Sequence, residues 1–213
     1  HELQIAQSVS VSQHSMERAG AFSVEVIAMP DVPLQRIVAV VDEEIARLQA
    51  FFLPPAYERL AGDDAGFRAE VADNRAFANW VQRNVHPPKV PGYAIVTLSL
   101  KTTGIPPGDA TSDQLDAVAA LADRYSFGEL RVSHEQNLIF TDVRQSELLS
   151  LWQQLKGLGF ATPNIGLLTN IVCCPGGDFC SLANAKSIPI AAAIQRRFDD
   201  LDYLHDIGEL DLN

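Results

Sequence analysis

Thiols are almost absent from this chain. Its 213 residues include three cysteines, all between Cys173 and Cys180, so no disulfide framework spans the molecule. Long apolar runs are missing as well: nothing approaches the roughly 20 residues that a membrane helix needs. The N-terminus has no basic stretch leading into an apolar one, so the chain reads as cytoplasmic with no membrane partner. Positive charge is scarce, with 16 Lys and Arg against 27 Asp and Glu and a formal charge of -11. That balance repels phosphate backbones and anionic headgroups and argues against nucleic acid as a partner. No repeat period and no block of like charge stands out. What remains is a hydrophobic fraction of 47%, enough to bury the core of one sizeable domain or two small ones.

Residues 1–34 show no firm periodicity, although residues 22–27 resemble a short strand. From Arg36 the residues Ile37, Val41, Ile45, Leu48 and Phe52 fall at helical spacing ahead of Pro54-Pro55. Phe67, Val71, Phe77, Trp80 and Val81 suggest shorter helical pieces. The prolines at 87, 88 and 91 then mark an expected domain boundary, with residues 1–90 an N-terminal segment and helical linker.

The pattern sharpens after Gly92. Ala94, Val96, Leu98 and Leu100 alternate with Tyr93, Ile95, Thr97, Ser99 and Lys101, the period-2 signal of a strand with one largely polar face. Thr111 with Gln114 resembles a capping box, and Leu115, Val118, Ala122 and Tyr125 mark one face of the helix behind it. Short strands at 129–133 and 138–143 follow. Leu148, Leu151, Trp152 and Leu155 then form another helical stripe, closed by Gly157 and Gly159. The order strand, helix, strand, strand, helix predicts an α+β ferredoxin-like half domain over 91–160, with helices on one sheet face and the other face free for a ligand or partner. Residues 167–172 form an apolar run into the cysteines, and a helix is expected from Ser181, restarting after Pro189.

Cys174-Pro175-Gly176-Gly177-Asp178-Phe179-Cys180 places two thiols on a tight Gly-rich loop. The second stands at an expected helix N-terminus, where exposed amides favour a thiolate. Thiolates bind soft metals, and glycines let backbone approach an inorganic core. Buried structural thiols fit the same spacing. Zinc needs four ligands, and no His pair with zinc-site spacing lies near. A nucleophilic Cys180 with His134 as base lacks any sign that the two meet. Cys173, adjacent to Cys174, points elsewhere in an extended chain. Upstream, Arg131-Val132-Ser133-His134-Glu135-Gln136-Asn137 concentrates hydrogen-bonding groups between two strands. Its Arg suits carboxylates, yet a plain polar turn would read the same. Lys101, sharing a strand face with Thr97 and Ser99, reads equally as part of a solvated face.

Residues 170–185, with their Cys-x5-Cys and following small-residue helix, closely resemble the first cluster motif of the siroheme-dependent sulfite and nitrite reductase hemoproteins. Residues 131–138, ending in Gln136-Asn137-Leu138, resemble the same family's siroheme-facing turn. The strand from Tyr93 and the helix carrying Asp123-Arg124-Tyr125 look like its second ferredoxin-like half domain, and the likeness runs from about residue 41 to 213. Residues 161–213 would then begin the siroheme and 4Fe-4S domain.

The resemblance implies six-electron reduction of sulfite to sulfide, with nitrite to ammonia as the family's alternative, at a siroheme joined to a 4Fe-4S cluster. Electrons would come from ferredoxin or a flavoprotein reductase. By position Cys174 and Cys180 match two cluster ligands. Arg131, Gln136 and Asn137 match the siroheme-contacting turn, with Lys101 near it. No catalytic residue is assigned. The family's second motif, Cys-x3-Cys, is absent and is expected beyond Asn213. The chain starts at His1 and stops in an apparent strand at 207–212, so it is expected to be an internal piece, inactive alone. A ferredoxin-like binding module with cysteines that merely pack is the rival from another class.

Overall fold

Alternating Val and Ser at residues 8–12 favour extended backbone, and the first strand, β1 (Ala6–Ser15), pairs antiparallel with β2 (Gly20–Ala28). Val9 stands opposite Val26, and Val11 opposite Val24. The computed structural model describes residues 5–15, 20–50, 53–62 and 64–204; the strand expected at 207–212 lies outside them, as does Phe52. Two compact units emerge, residues 1–56 and 57–213. The first holds this hairpin and α1 (Leu34–Gln49), which starts behind Pro33 and buries Ile37. The strand expected at 22–27 thus exists and is longer, with a partner, β1, that its sequence signal alone left unassigned.

In the second unit the expected order is present. It comprises β4 (Tyr93–Leu98), α4 (Ser112–Tyr125), β5 (Leu130–Val132), β6 (Leu138–Arg144) and α5 (Leu148–Leu158). Thr111 and Gln114 form a reciprocal capping box at α4, satisfying amides that the helix start leaves unpaired. Gly159, at φ 80°, closes α5 in the left-handed conformation that glycine adopts most cheaply. β6 lies between β4 and β5, and with the short strand β3 (Val85–His86) the antiparallel sheet runs β3-β4-β6-β5. The fold is α+β, a ferredoxin-like half domain.

The edge strand β3 (Val85–His86) comes from upstream, directly after α2 (Ala65–Asp73) and α3 (Arg75–Asn84). Asp64 and Asn74 cap these helices by accepting from the amides of Phe67 and Phe77. Phe77 and Trp80 are fully buried in one core with Val96, Leu98, Phe140 and Leu151. Phe77 packs on Trp80 at 5.9 Å and on Trp152 of α5 at 5.4 Å. Residue 90, near which a boundary is expected, lies inside the second unit, where the partly buried Phe67 and Val71 of α2 and the buried Phe77 and Trp80 of α3 pack on the half domain's own core.

The sheet face expected to stay free is covered near the end of β4. After α5 the chain turns back, and Ser99 donates its backbone N–H to the Phe160 carbonyl at 3.2 Å. The Asn84 amide donates to the carbonyls of Thr97 and Thr162. The Ser99 hydroxyl donates to Asn164 at 2.6 Å, and Asn164 donates to the Lys101 carbonyl. Thr97, Ser99 and Lys101 are buried polar residues, as the low cost of burying a hydrogen-bonded group allows. Beyond the cysteines, α6 (Ser187–Leu204) begins later than expected and takes Pro189 within its first turn, where a missing N–H costs nothing.

Candidate functional site

The turn joining β5 to β6 is closed by its own short polar residues. Ser133 donates its N–H to the Asn137 carbonyl at 2.9 Å, and the Gln136 N–H reaches the Ser133 carbonyl at 3.2 Å. The Asn137 N–H donates to the Ser133 hydroxyl at 3.2 Å. These bonds place Gln136 at φ 58°, a left-handed backbone uncommon for any residue but glycine. Arg131 stands on the sheet edge, mostly exposed, and donates to Glu129 at 2.6 Å. Its guanidinium is the one charged donor among the proposed site residues that faces solvent.

Asn137 and Lys101 are not surface groups. Asn137 is fully buried; it accepts from the Leu100 N–H at 3.2 Å and donates to Asn170 at 3.0 Å. Lys101, also buried, donates to the Glu135 carbonyl at 2.6 Å. Burial pulls its pKa down to about 8, against the opposing pull of the Glu135 carboxylate and Cys173. The solvated-face reading of Lys101 is thereby removed. A cavity of about 450 Å³ opens beside the turn, lined by Leu100, Gly108, Val132, Ser133, Gln136 and Asn137.

The cysteine segment is tied to this turn from the other side. The Gln136 side-chain carbonyl accepts from the Cys173 N–H at 3.0 Å, and its amide donates to the Cys173 carbonyl at 2.9 Å. Cys173 is buried, and burial pushes its thiol pKa up, with Cys174 adding to the rise. Cys174 and Cys180 are both exposed. Between them the loop folds onto itself: Gly177 N–H donates to the Ala185 carbonyl at 2.7 Å, and Cys180 N–H to the Gly176 carbonyl at 2.8 Å. Lys186 pairs with Asp178 at 3.0 Å. A Cβ on Gly176 would lie 2.6 Å from the Ala185 carbonyl oxygen. This glycine is needed for the loop's own closure, a role the sequence reading gave to an approaching inorganic core.

Residues 181–186 form turns and bends, not the expected helix. With α6 starting at Ser187, Cys180 stands seven positions ahead of it, so a helix N-terminus does not activate that thiol. What the segment offers chemically is two solvent-facing soft donors on a closed loop. Among the described residues no group of three or more His, Cys, Asp or Glu is placed to hold a metal ion. Two exposed thiols are a soft donor pair, two short of the four thiolates that an iron–sulfur cage takes. Asn164 and Asn170, which pin the chain after α5 to β4 and the turn, had no distinguishing sequence signal; an Asn in a loop reads as an ordinary turn residue.

Residues 100–158 match the family model described as the nitrite/sulfite reductase ferredoxin-like half domain. The chloroplastic ferredoxin–nitrite reductase of Betula pendula is 35% identical over 127 residues, covering 55% of this chain and 21% of that protein. That of Arabidopsis thaliana is 37% identical over 136 residues, covering 55% and 22%. The ferredoxin–nitrite reductase of Synechococcus elongatus is 30% identical over 128 residues, covering 57% and 24%. The chain thus spans about a fifth of the length of these curated relatives. The structure of the Mycobacterium tuberculosis NirA protein aligns with 61% of this chain and 24% of that one, at 25% identity and a TM-score of 0.47.

Proposed function

Since the chain belongs to the siroheme nitrite/sulfite reductase family through its ferredoxin-like half domain, we propose that it is part of an oxidoreductase reducing nitrite to ammonia, and that Cys174 and Cys180 are two ligands of its 4Fe-4S cluster. Sulfite reduction to sulfide is the second reading. Nitrite comes first because the relatives above are ferredoxin–nitrite reductases, which also favours ferredoxin over a flavoprotein as electron donor. No described helix is long and apolar enough to cross a membrane, and we place the protein in the cytoplasm.

The observation that carries the reading is the division of labour among three neighbouring thiols: Cys174 and Cys180 face solvent while Cys173 is buried. Packing cysteines would all be buried. When bound, the cluster and siroheme supply electron transfer and the iron at which the anion is reduced. The chain's own residues hold and orient. Cys174 and Cys180 supply thiolates, and two more must come from outside this chain. Arg131 offers a forked, exposed donor suited to the carboxylates on a siroheme rim. Gln136, Asn137 and Lys101 do not offer free side-chain groups, since each is engaged internally; their part is to shape the surface beneath Arg131. The chain alone is expected to turn over neither anion.

Iron content of the complete enzyme after Cys-to-Ser substitution tests the assignment. Cys174→Ser and Cys180→Ser should each lose the cluster, whereas Cys173→Ser should keep it. Full iron and activity in both of the first two variants would refute it. Steady-state assays with nitrite and sulfite separate the two substrates.

A further inference from the structure

We infer that Gln136 is a positioning residue that sets the register of the cysteine segment, so that Cys174 faces outward instead of its neighbour Cys173. The two hydrogen bonds from its side chain to the N–H and carbonyl of Cys173 reproduce one rung of a strand ladder across 37 positions of sequence. A backbone held at both its donor and its acceptor cannot slide by one residue without breaking both bonds. Burial alternates through this stretch, with Ile171 and Cys173 inside and Cys174 outside. A slip of one position would exchange the two thiols.

The clamp is itself braced. Glu135, before Gln136, is held through its carbonyl by Lys101. Asn137, after it, is held by the Leu100 N–H and by Asn170, which lies three positions ahead of Cys173. Gln136 thus keeps its left-handed backbone between two anchored neighbours, as expected where surrounding structure over-determines a disfavoured conformation. The importance of the lock for cluster ligation rests on the function proposed above. The lock itself does not.

Alkylation of the native chain with iodoacetamide, followed by mass analysis of each cysteine, reads the register directly. In the wild type Cys174 and Cys180 should react and Cys173 should stay protected. Gln136→Gly suits the positive φ and removes the clamp; Gln136→Asn tolerates that backbone but is one methylene too short. In both, Cys173 labelling should rise by roughly tenfold or more, the worth of two lost hydrogen bonds. Cys174 and Cys180, already exposed, should keep their labelling, since the slipped chain stays a minority. An equal rise in amide exchange across the rest of the second unit would mean general loosening and overturns the register claim. So would unchanged protection of Cys173 in variants that keep native circular dichroism and Trp80 and Trp152 fluorescence.

Should neither variant fold, amide exchange in the wild-type chain decides: the Cys173 N–H should exchange slowly, and exchange as fast as in a free peptide would end the proposal. Iron retention in Cys174→Ser would sink the proposed function while leaving the labelling pattern untouched, so the two can fail separately.

Discussion

The buried ammonium of Lys101 donates to the Glu135 carbonyl at 2.6 Å, linking the chain just past β4 to the turn ahead of β6. The charge is held by a neutral acceptor in a place water does not reach, and its proton is weakly kept in consequence.

A lysine whose folded pKa is about 8 instead of 10.5 binds fewer protons folded than unfolded between those values, so its effect is to raise stability with pH across that window. Cys173 acts oppositely: its raised pKa keeps the proton on in the folded state above 9.0, so stability falls there. Because Lys101 and Cys173 act on each other's titration, Lys101→Met is compared with its parent in a Cys173→Ser background, which removes the cysteine. The variant's stability relative to that parent should be greatest below pH 8 and decline by roughly 1–3 kcal/mol by pH 10.5, allowing for screening. Urea midpoints across that range check this, and parallel profiles would refute it.

Asn137→Ala should destabilise the second unit by about 2 kcal/mol, because it leaves the buried Leu100 N–H and Asn170 side chain without partners. Asn137→Asp keeps the acceptor for Leu100 but sets a buried carboxylate oxygen against the Asn170 oxygen that Asn137 now donates to, and should cost more. Equal urea midpoints for the two variants would contradict these roles.

Gly176→Ala should open the cysteine loop, since the added methyl meets the Ala185 carbonyl at 2.6 Å on top of a φ of 61°. Gly104→Ala is the control: its φ is 91° but nothing lies within 4 Å of the new atom, leaving a backbone cost of about 1 kcal/mol. Limited proteolysis should cut between residues 174 and 186 in the first variant alone.

Removing residues 1–56 should leave a cooperatively folding unit, whereas removing 1–90 takes Phe77 and Trp80 out of the core. Losing either ring alone is worth about 3–5 kcal/mol, a large share of a small domain's stability. Thermal unfolding of the two truncations distinguishes them. A sharp transition in the shorter one would restore the boundary near residue 90.

Legibility followed distance along the chain. The capping box at Thr111 and Gln114, the alternation from Tyr93 and the stripe of α5 are written in neighbouring residues, and each has its element. Lys101 is buried with its ammonium on Glu135, 34 positions downstream, and its carbonyl on Asn164, 63 positions downstream, which no local pattern records. The helix expected from Ser181 is absent where the Ala185 carbonyl turns back to the Gly177 N–H, since its partner four positions on in a helix would be Pro189, which has no N–H to offer. The exposure of Cys174 and Cys180, as against Cys173, was implied only by the parity of neighbouring positions. Gln136 and Asn137 are expected, by resemblance, in a siroheme-contacting turn, and their inward bonds to Leu100, Asn170 and Cys173 had no sequence signal.

At its margins the four-stranded sheet is only two residues wide at β3 and three at β5. Margins so short give an incoming chain too few backbone groups to zip onto, and at β5 the Arg131–Glu129 pair stands guard with opposite charges. A partner approaching this sheet at either margin would therefore meet it through side chains and loops. Its orientation would be set by a few individual contacts, with no continuous ladder to align it.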